Sequence, residues 1–252
     1  TPAPTVNAGP DASVCSNNAN ITLAGAFTGA TGAIWSGGTG TYNPNNTTLN
    51  AVYTPSAAER IAGTVTLTLS TVGNGSCNAV GDAVTFTITP SPTVNAGVDR
   101  TVCANNVAVT LSGSSTVATG GMWSGGNGTF DPSTTNMSAI YTASAAEIAN
   151  GSVTLTLTTT GIGNCVAVTD QMTINFTAAP VVNAGAPVPL CANNAQVSLS
   201  GSVTGATGGV WSGGTGTYSP NNSTLTATYT PTAGEIAGGT LTLTLTSTGN
   251  GT

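Results

Sequence analysis

Residues Thr64–Ser70 read TVTLTLS, a strict alternation of Thr with Val or Leu. Two related stretches, SVTLTLT at Ser152–Thr158 and TLTLTLT at Thr240–Thr246, repeat the alternation further along the chain. A period of two residues places every second side chain on the same face of a β-strand. The stretch therefore predicts a strand, formed three times, with Val and Leu facing a core and Thr facing water.

The whole sequence, and not this strand alone, consists of three copies of one repeat. Each copy contains a Cys and a Trp at positions spaced 88 residues apart: Cys15, Cys103 and Cys191, and Trp35, Trp123 and Trp211. This period exceeds the roughly 20–50 residues of solenoid and propeller units, so each copy is expected to fold as a domain. We predict one repeat at 1–88, a second at 89–176, and a third at 177–252 that lacks the last strand and the second Cys.

Further alternating segments surround this strand in each copy, separated by Gly, Asn and Pro clusters such as GGTGTYNPNN. Such clusters favour turns, because Gly adopts positive φ and Asn tolerates left-handed backbone. About seven short strands per copy indicate an all-β fold, an antiparallel β-sandwich of immunoglobulin type. Short proline-containing joints, at Thr89–Val94 and Thr177–Val182, are expected to string the three beads into a rod.

The composition argues against several classes of function. The chain has two Lys+Arg, eight Asp+Glu and no His, and its net charge is −6. Phosphate recognition uses clustered Lys and Arg, so nucleic acid is not an expected partner. General acid–base catalysis most often uses His or tuned Lys and carboxylates, so we expect no enzyme and no cofactor. Without a run of about 18 apolar residues, no membrane span is expected.

Two cysteines per copy, at matched places, predict disulfides and an oxidising compartment outside the cytoplasm. We expect Cys15 to pair with Cys77, and Cys103 with Cys165, each bond closing a loop of about 60 residues within one repeat. The next image of Cys77 falls at position 253, so Cys191 is expected to find its partner beyond the end, in a longer protein. Metal binding is disfavoured, because the sequence has no CxxC pair and no His.

A short helical turn is predicted in each copy from the S/T-x-x-E pattern of the capping box. The pattern occurs at Ser56 and Glu59, at Ser144 and Glu147, and at Thr232 and Glu235. We interpret the three Glu as helix caps rather than as catalytic or calcium-binding groups, because this spacing accounts for them. The helices are expected to end at the glycines that follow: Gly63, Gly151 and Gly238.

The aromatic residues have two possible roles. We expect Trp35, Trp123 and Trp211 to fill the cores, an exposed Trp that stacks on a sugar ring being the alternative. The aromatic residue of the following turn is the better candidate for an exposed ring that contacts a glycan: Tyr42, Phe130 and Tyr218. Thr rows on the solvent face and several Asn-x-Ser/Thr triplets also leave glycosylation open, although a chain rich in Asn and Thr produces such triplets by chance.

Four motifs make the chain resemble a known family. They are VNAG…VC-x-NN at Val6–Asn18 and Val94–Asn106, ATG-x-x-WSGG-x-GT-[YF]-x-P at Ala30–Pro44, Ala118–Pro132 and Ala206–Pro220, YTPSAAE at Tyr53–Glu59, and the TVTLTL strand. They resemble the immunoglobulin-like, PKD-like tandem repeats of giant secreted bacterial surface proteins. The resemblance covers the whole chain and implies export, attachment to the outer cell surface and a spacer or adhesive role. The third copy departs at Ala186, Pro187 and Pro189, which puts its first strand in question.

The leading hypothesis is therefore a structural one: the repeat region of an extracellular fibre or adhesin stalk, with neighbouring repeats as its main partners. One alternative is a multivalent glycan-binding module that uses the turn aromatics. Another is a filament in which the incomplete third repeat accepts a strand from a second copy of the chain. An enzyme is the weakest alternative.

Overall fold

The computed structural model describes residues 2–250, and the fold is all-β with one short helix in each repeat; Thr1 and residues 251–252, at the outer limits of the predicted first and third domains, lie outside it. The first repeat contains β1 (Thr5–Asn7), β2 (Ala12–Cys15), β3 (Ile21–Thr22), β4 (Ala26–Thr28), β5 (Gly32–Ser36), β6 (Thr41–Asn43), β7 (Val52–Thr54), α1 (Ala57–Ala62), β8 (Thr64–Val72) and β9 (Gly81–Thr89). The second contains β10 (Thr93–Asn95), β11 (Arg100–Cys103), β12 (Ala108–Thr110), β13 (Ser114–Thr116), β14 (Gly120–Ser124), β15 (Thr129–Asp131), β16 (Ile140–Thr142), α2 (Ala145–Asn150), β17 (Ser152–Thr160) and β18 (Thr169–Thr177). The third contains β19 (Val181–Asn183), β20 (Val197–Ser198), β21 (Ser202–Thr204), β22 (Gly208–Ser212), β23 (Thr217–Ser219), β24 (Thr228–Thr230), α3 (Ala233–Gly238) and β25 (Thr244–Thr248).

Each of the first two repeats is a β-sandwich. Its larger sheet has four strands, in the order β2-β9-β8-β5 in the first repeat and β11-β18-β17-β14 in the second. Facing it lie a three-stranded sheet (β3-β7-β6 or β12-β16-β15) and a two-stranded pair (β1-β4 or β10-β13). Across residues 2–250 every sheet is built from strands of a single repeat, and none crosses a proline joint.

The complete repeats have nine strands rather than about seven, because the chain near the start of each repeat contributes to two sheets. In the first repeat β1 pairs antiparallel with β4, whereas β2 pairs parallel with the last strand, β9. The parallel register sets Ala12 opposite Phe86 and Cys15 opposite Thr89. The strands β2 and β9 therefore end at the same place, beside the joint to the next repeat.

The alternating strand forms the centre of the core, as predicted. Val65, Leu67 and Leu69 of β8 are buried, while the Thr residues between them are more exposed. Trp35 of β5 is also fully buried and donates its indole N–H to the Leu49 carbonyl oxygen (3.3 Å). Because Trp123 and Trp211 are equally buried, the prediction that the three Trp fill the cores is confirmed.

The third repeat has a reduced larger sheet, which consists of β22 and β25 alone. The alternation predicts a strand at Thr240–Thr246, but β25 begins only at Thr244. In the other repeats the equivalent strand also pairs with β9 or β18. Near Cys191 only an isolated bridge to Asn194 is formed where β2 and β11 lie in the other repeats. A counterpart of β9 and β18 is missing from the described residues, so neither segment has its neighbouring strand.

Gly216 of the repeated WSGG-x-GT turn lies too close to its neighbours to accept a side chain. A Cβ on Gly216 would collide with the Thr230 carbonyl oxygen and the Tyr229 hydroxyl, and the Gly216 N–H donates to that hydroxyl (2.8 Å). We expect Gly216→Ala to destabilise the third repeat by about 2–3 kcal/mol, since the collision involves backbone that has to move. Urea unfolding followed by Trp fluorescence measures the change.

Gly234→Ala is the matched control in the same repeat. Gly234 lies in α3 with open space around its Cβ position, so Ala is expected to be neutral or slightly stabilising. Equal losses in the two variants would contradict this explanation of the turn.

Candidate functional site: the joint between repeats

Cys15 lies at the end of the first repeat from which the chain leaves for the second. It is the last residue of β2, opposite Thr89, the last residue of β9. Ser16 then donates its backbone N–H to the Thr89 carbonyl oxygen (2.9 Å). The strand pairing thus holds the Cys15 sulfur beside the joint, 3.7 Å from the Pro90 carbonyl oxygen.

Cys165 reaches the same point from the second repeat. It lies in the loop 161–168, which connects β17 to β18. Because β18 runs away from the first repeat toward Thr177, the loop that precedes it faces the first repeat. The Cys165 sulfur lies 3.8 Å from the Pro90 carbonyl oxygen, so both sulfurs meet at one carbonyl group.

The two sulfurs form a disulfide, Cys15–Cys165, with a Cα–Cα distance of 4.9 Å. The predicted pairs within single repeats, Cys15–Cys77 and Cys103–Cys165, are therefore wrong. Cys77 lies in the loop before β9, whereas Cys15 lies opposite the end of that strand, and nine extended residues span about 30 Å. A disulfide requires a Cα separation below about 7 Å, so the two cysteines of one repeat are too far apart to bond.

Asparagine side chains hold the loop against the first repeat around the disulfide. The Asn17 side-chain amide donates to the Val166 carbonyl oxygen (2.8 Å), and its oxygen accepts the Val166 N–H (3.0 Å). The Asn18 amide donates to the Asn164 carbonyl oxygen (3.3 Å), and the Asn164 amide donates to the Ser13 carbonyl oxygen (3.1 Å). The joint is therefore both covalently bonded and hydrogen-bonded.

We call Cys15, Asn17 and Asn18 the exit surface of the first repeat. In the sequence these residues belong to the VC-x-NN motif, which by itself predicts no role for the two Asn. The available signal was their fixed spacing after Cys, because an exposed Asn pair at the same place in every copy is explained more readily by a contact than by a strand. The equivalent residues are Cys103, Asn105 and Asn106, and Cys191, Asn193 and Asn194.

The other cysteines occupy equivalent places in their own repeats. Cys103 is a buried thiol at the exit of the second repeat, and its sulfur lies 3.7 Å from the Ala178 carbonyl oxygen. Cys191 is an exposed thiol beside the incomplete sheet of the third repeat. Cys77 lies half-buried in the loop between β8 and β9, the counterpart of the Cys165 loop. The partner predicted for Cys191, at position 253, falls outside the described residues.

The capping boxes predicted from the sequence are present in all three helices. In α1 the Ser56 hydroxyl accepts the Glu59 N–H (3.3 Å), and the Glu59 carboxylate accepts the Ser56 N–H (2.7 Å). The same reciprocal pairs occur at Ser144 and Glu147 in α2 and at Thr232 and Glu235 in α3. The three Glu are therefore helix caps.

The helices end in left-handed glycines, but one of the predicted positions is wrong. Gly63 and Gly151 have φ of 76° and 82°, as expected for a helix C-cap. In the third repeat Gly238 is still helical, and the cap is Gly239, with φ of 76°. Gly239 is the 88-residue image of Gly63 and Gly151, so the repeat itself identifies the correct glycine.

Glu59 also fixes the WSGG-x-GT turn, a role that the capping pattern did not predict. Its carboxylate accepts the Thr39 N–H (2.7 Å) and the Tyr53 hydroxyl (2.8 Å). Tyr53 in turn accepts the Gly40 N–H (2.8 Å). A single buried carboxylate therefore joins the helix, the turn and the core strand β7.

These contacts shift the pKa of the groups involved. Burial opposes ionisation of Glu59, but N–H groups of Thr39 and Ser56 outweigh it and lower the pKa of its carboxyl. In the third repeat the Thr232 N–H is the main cause that lowers the pKa of Glu235 to about 2. Burial, and then the charge of Glu59, raise the pKa of Tyr42 to about 12. The three caps are therefore ionised at neutral pH and the tyrosines are neutral.

The lowered pKa of the Glu caps predicts acid sensitivity. A carboxyl that titrates at lower pH when folded stabilises the fold above its unfolded pKa, near 4.5, and loses that contribution as pH falls toward about 2. We expect the melting temperature to fall across this window. The triple variant Glu59→Gln, Glu147→Gln, Glu235→Gln should melt lower at neutral pH and depend less on pH. A pH dependence equal to that of the natural chain would contradict this role.

The aromatic residues proposed for glycan contact are half-buried rather than open. The Tyr42 ring packs on Tyr53 with centroids 4.8 Å apart, and its hydroxyl donates to the Gly37 carbonyl oxygen (3.0 Å). Phe130 and Tyr218 pack on Tyr141 and Tyr229 in the same way, with centroids 4.7 Å apart. Each ring thus covers one edge of the core, and glycan contact through these residues stays a prediction.

Two Asp side chains connect segments that are distant in the sequence. Asp82 accepts the Ala8 N–H (2.8 Å), and Asp11 accepts the Thr85 N–H (2.7 Å). Between positions 2 and 250 no cluster of three Cys, Asp or Glu side chains is arranged to hold a metal ion. None of the helices in that part of the chain is long and apolar enough to cross a bilayer.

No protein-family profile and no curated protein matches the chain. Among solved structures it is similar to a three-domain immunoglobulin fragment of titin, at 10% identity and a TM-score of 0.44 over 83% of this chain and 78% of that one. Immunoglobulin domains 1–5 of Sidekick-1 give 14%, 0.38, 83% and 47%, and extracellular cadherin domains 3–6 of protocadherin gamma B2 give 13%, 0.37, 91% and 65%. The chain spans less than two thirds of the latter two fragments. These scores assign no family, and the sandwich fold rests on the strand pairing of the chain itself.

Proposed function

We propose that this chain is a structural repeat region of an extracellular bacterial surface fibre or adhesin stalk, in which disulfides lock each repeat to the next. The observation that supports the proposal best is the Cys15–Cys165 bond, which joins two sandwiches instead of closing one. A bond of this kind is not needed to stabilise a single domain. Because it joins two domains, it restricts the angle between them.

Two covalent connections cross the joint side by side, beside the Pro90 carbonyl group. The backbone crosses it between β9 and β10, and the disulfide crosses it between β2 and the loop 161–168. A single linker acts as a pivot, whereas a second covalent link beside it restricts rotation about that linker. The hydrogen bonds of Asn17 and Asn18 add to this restraint. A stalk that projects a distant adhesive tip requires stiffness of this kind.

The composition supports an extracellular location and a role without catalysis. A disulfide persists in oxidising compartments such as the bacterial cell exterior and is rare in the cytosol. The chain has no His and only 4% charged residues, so it lacks the usual groups for catalysis or for phosphate binding. A surface of uncharged Thr, Asn and Gly suits a spacer that contacts the medium along its whole length.

Peptide mapping of natively purified protein tests the proposal directly. Digestion without reductant should release a linked peptide that contains Cys15 and Cys165, and electron microscopy should show straight rods that bend after reduction. A linked peptide that contains Cys15 and Cys77, or rods equally straight in both states, would overturn the proposal.

The third repeat favours a second mode of association, strand addition. β25 pairs only with β22, while the equivalent β8 and β17 also pair with β9 and β18 on their other side. The peptide GDAVTFTIT, which is the sequence of β9, should bind this edge and raise the melting temperature of the chain. A peptide of the same composition in scrambled order is the control, and an equal effect of both peptides would contradict strand addition.

A further inference from the structure

The exit of the second repeat is built like the exit of the first. Cys103 lies opposite Thr177 in a parallel pair, as Cys15 lies opposite Thr89. The Ala104 N–H donates to the Thr177 carbonyl oxygen at 2.9 Å, the distance found for Ser16 and Thr89. The Cys103 sulfur lies 3.7 Å from the carbonyl oxygen of Ala178, and the Cys15 sulfur lies 3.7 Å from that of Pro90.

The two exits differ in what they hold. At the first joint Cys15 is bonded to Cys165, and the Asn17 side chain makes two hydrogen bonds with the Val166 backbone. At the second joint Cys103 is a thiol, and the exposed Asn105 side chain makes no hydrogen bond with residues 2–250. Within residues 2–250 the same backbone frame therefore presents Cys103 without a disulfide and Asn105 without a bound loop, and the Cys103 thiol contacts the Ala178 carbonyl oxygen.

We propose that Cys103 and Asn105 form a docking site for the Asn-Cys-Val loop of another repeat of this kind, which is then fixed by a disulfide to Cys103. This inference rests on the proposed function, since it identifies the partner of a second locked joint. Recognition uses the backbone of the residue after Cys, because Asn17 bonds only the N–H and C=O of Val166. The ligand is thus defined by the shape of its loop and by its thiol.

The covalent step is a thiol–disulfide exchange. The Cys103 thiolate attacks the loop cysteine of a mixed disulfide, the new S–S bond forms, and the original partner leaves as a thiol that takes up the proton lost by Cys103. When both cysteines begin as thiols, a disulfide-bearing oxidant has to accept the two electrons and two protons. Neither route requires a reactant other than a thiol and a disulfide.

The test uses the full 252-residue chain and the peptide GIGNCVAV, the sequence of residues 161–168, supplied as its mixed disulfide with β-mercaptoethanol, which leaves as the thiol. We expect the Cys103–peptide adduct to survive an about tenfold higher reductant concentration than a Cys103–glutathione adduct, since hydrogen bonds of Asn105 hold the peptide. Asn105→Ala should remove this difference. Mass spectrometry of the digests locates and measures each adduct.

Cys191 is the matched control within the same chain. It follows the same motif, but it is exposed and no strand is formed there, so its peptide and glutathione adducts should be reduced equally. Equal stability of the two adducts at Cys103, or an Asn105→Ala variant that behaves like the natural chain, would overturn the inference. The same digests test the proposed function separately. Detection of the linked Cys15–Cys165 peptide would support that function even if the peptide did not dock at Cys103.

Discussion

Pulling the oxidised chain by its two ends should leave about 500 Å of its length hidden, and reduction should release that length. The 150 residues between Cys15 and Cys165 are bypassed by the disulfide, so tension passes from one sulfur to the other and never stretches them. Fully extended residues contribute about 3.3–3.6 Å each. Single-molecule force spectroscopy measures this difference as a change in contour length.

Cys15→Ser supplies the control for the force experiment. This variant should extend as far without reductant as the natural chain does with it, whereas Cys191→Ser should behave like the natural chain. Equal contour lengths for the oxidised and reduced natural chain would show that the sulfurs do not carry tension across the joint.

The same bond should produce the largest change in stability. A loop of 150 residues corresponds to about 5 kcal/mol in the chain-entropy description of disulfides, because the cross-link restricts the unfolded chain. We expect Cys165→Ser to lower the free energy of unfolding of the first two repeats by up to that amount. The loss should appear as a lower urea midpoint, measured by Trp fluorescence.

The comparison with Cys191→Ser separates the bond from the loss of a thiol. Cys191 is an exposed thiol, so its replacement should change the free energy of unfolding by less than about 0.5 kcal/mol. A loss of similar size in both variants would contradict the cross-link. So would a Cys165→Ser variant that unfolds at the same urea concentration as the natural chain.

Local patterns in the sequence predicted the core and the helices well. The alternation of Val65, Leu67 and Leu69 is sufficient to place them in a core, because a strand allows only two faces. The capping box is equally local, since Ser56 and Glu59 are three residues apart and need no other part of the chain. Such features depend on backbone geometry over a few residues, which the sequence expresses directly.

The disulfide could not be obtained in the same way. The repeat shows that Cys15 and Cys77 belong to one copy, but it does not show at which end of the sandwich each lies. That depends on β2 running parallel to β9, a contact between residues more than 70 positions apart. The two Asn after Cys15 were the remaining clue, and their role becomes apparent only when the Cys165 loop is seen beside them.

The placement of the two sulfurs also orders the events of biogenesis. Cys15 is synthesised well before Cys165, and it encounters Cys77 and Cys103 first. Only a sandwich that has already folded keeps Cys77 about 30 Å away and places Cys103 at the other joint, opposite Thr177. Oxidation therefore has to follow folding, so that the second repeat is bonded to the repeat synthesised before it.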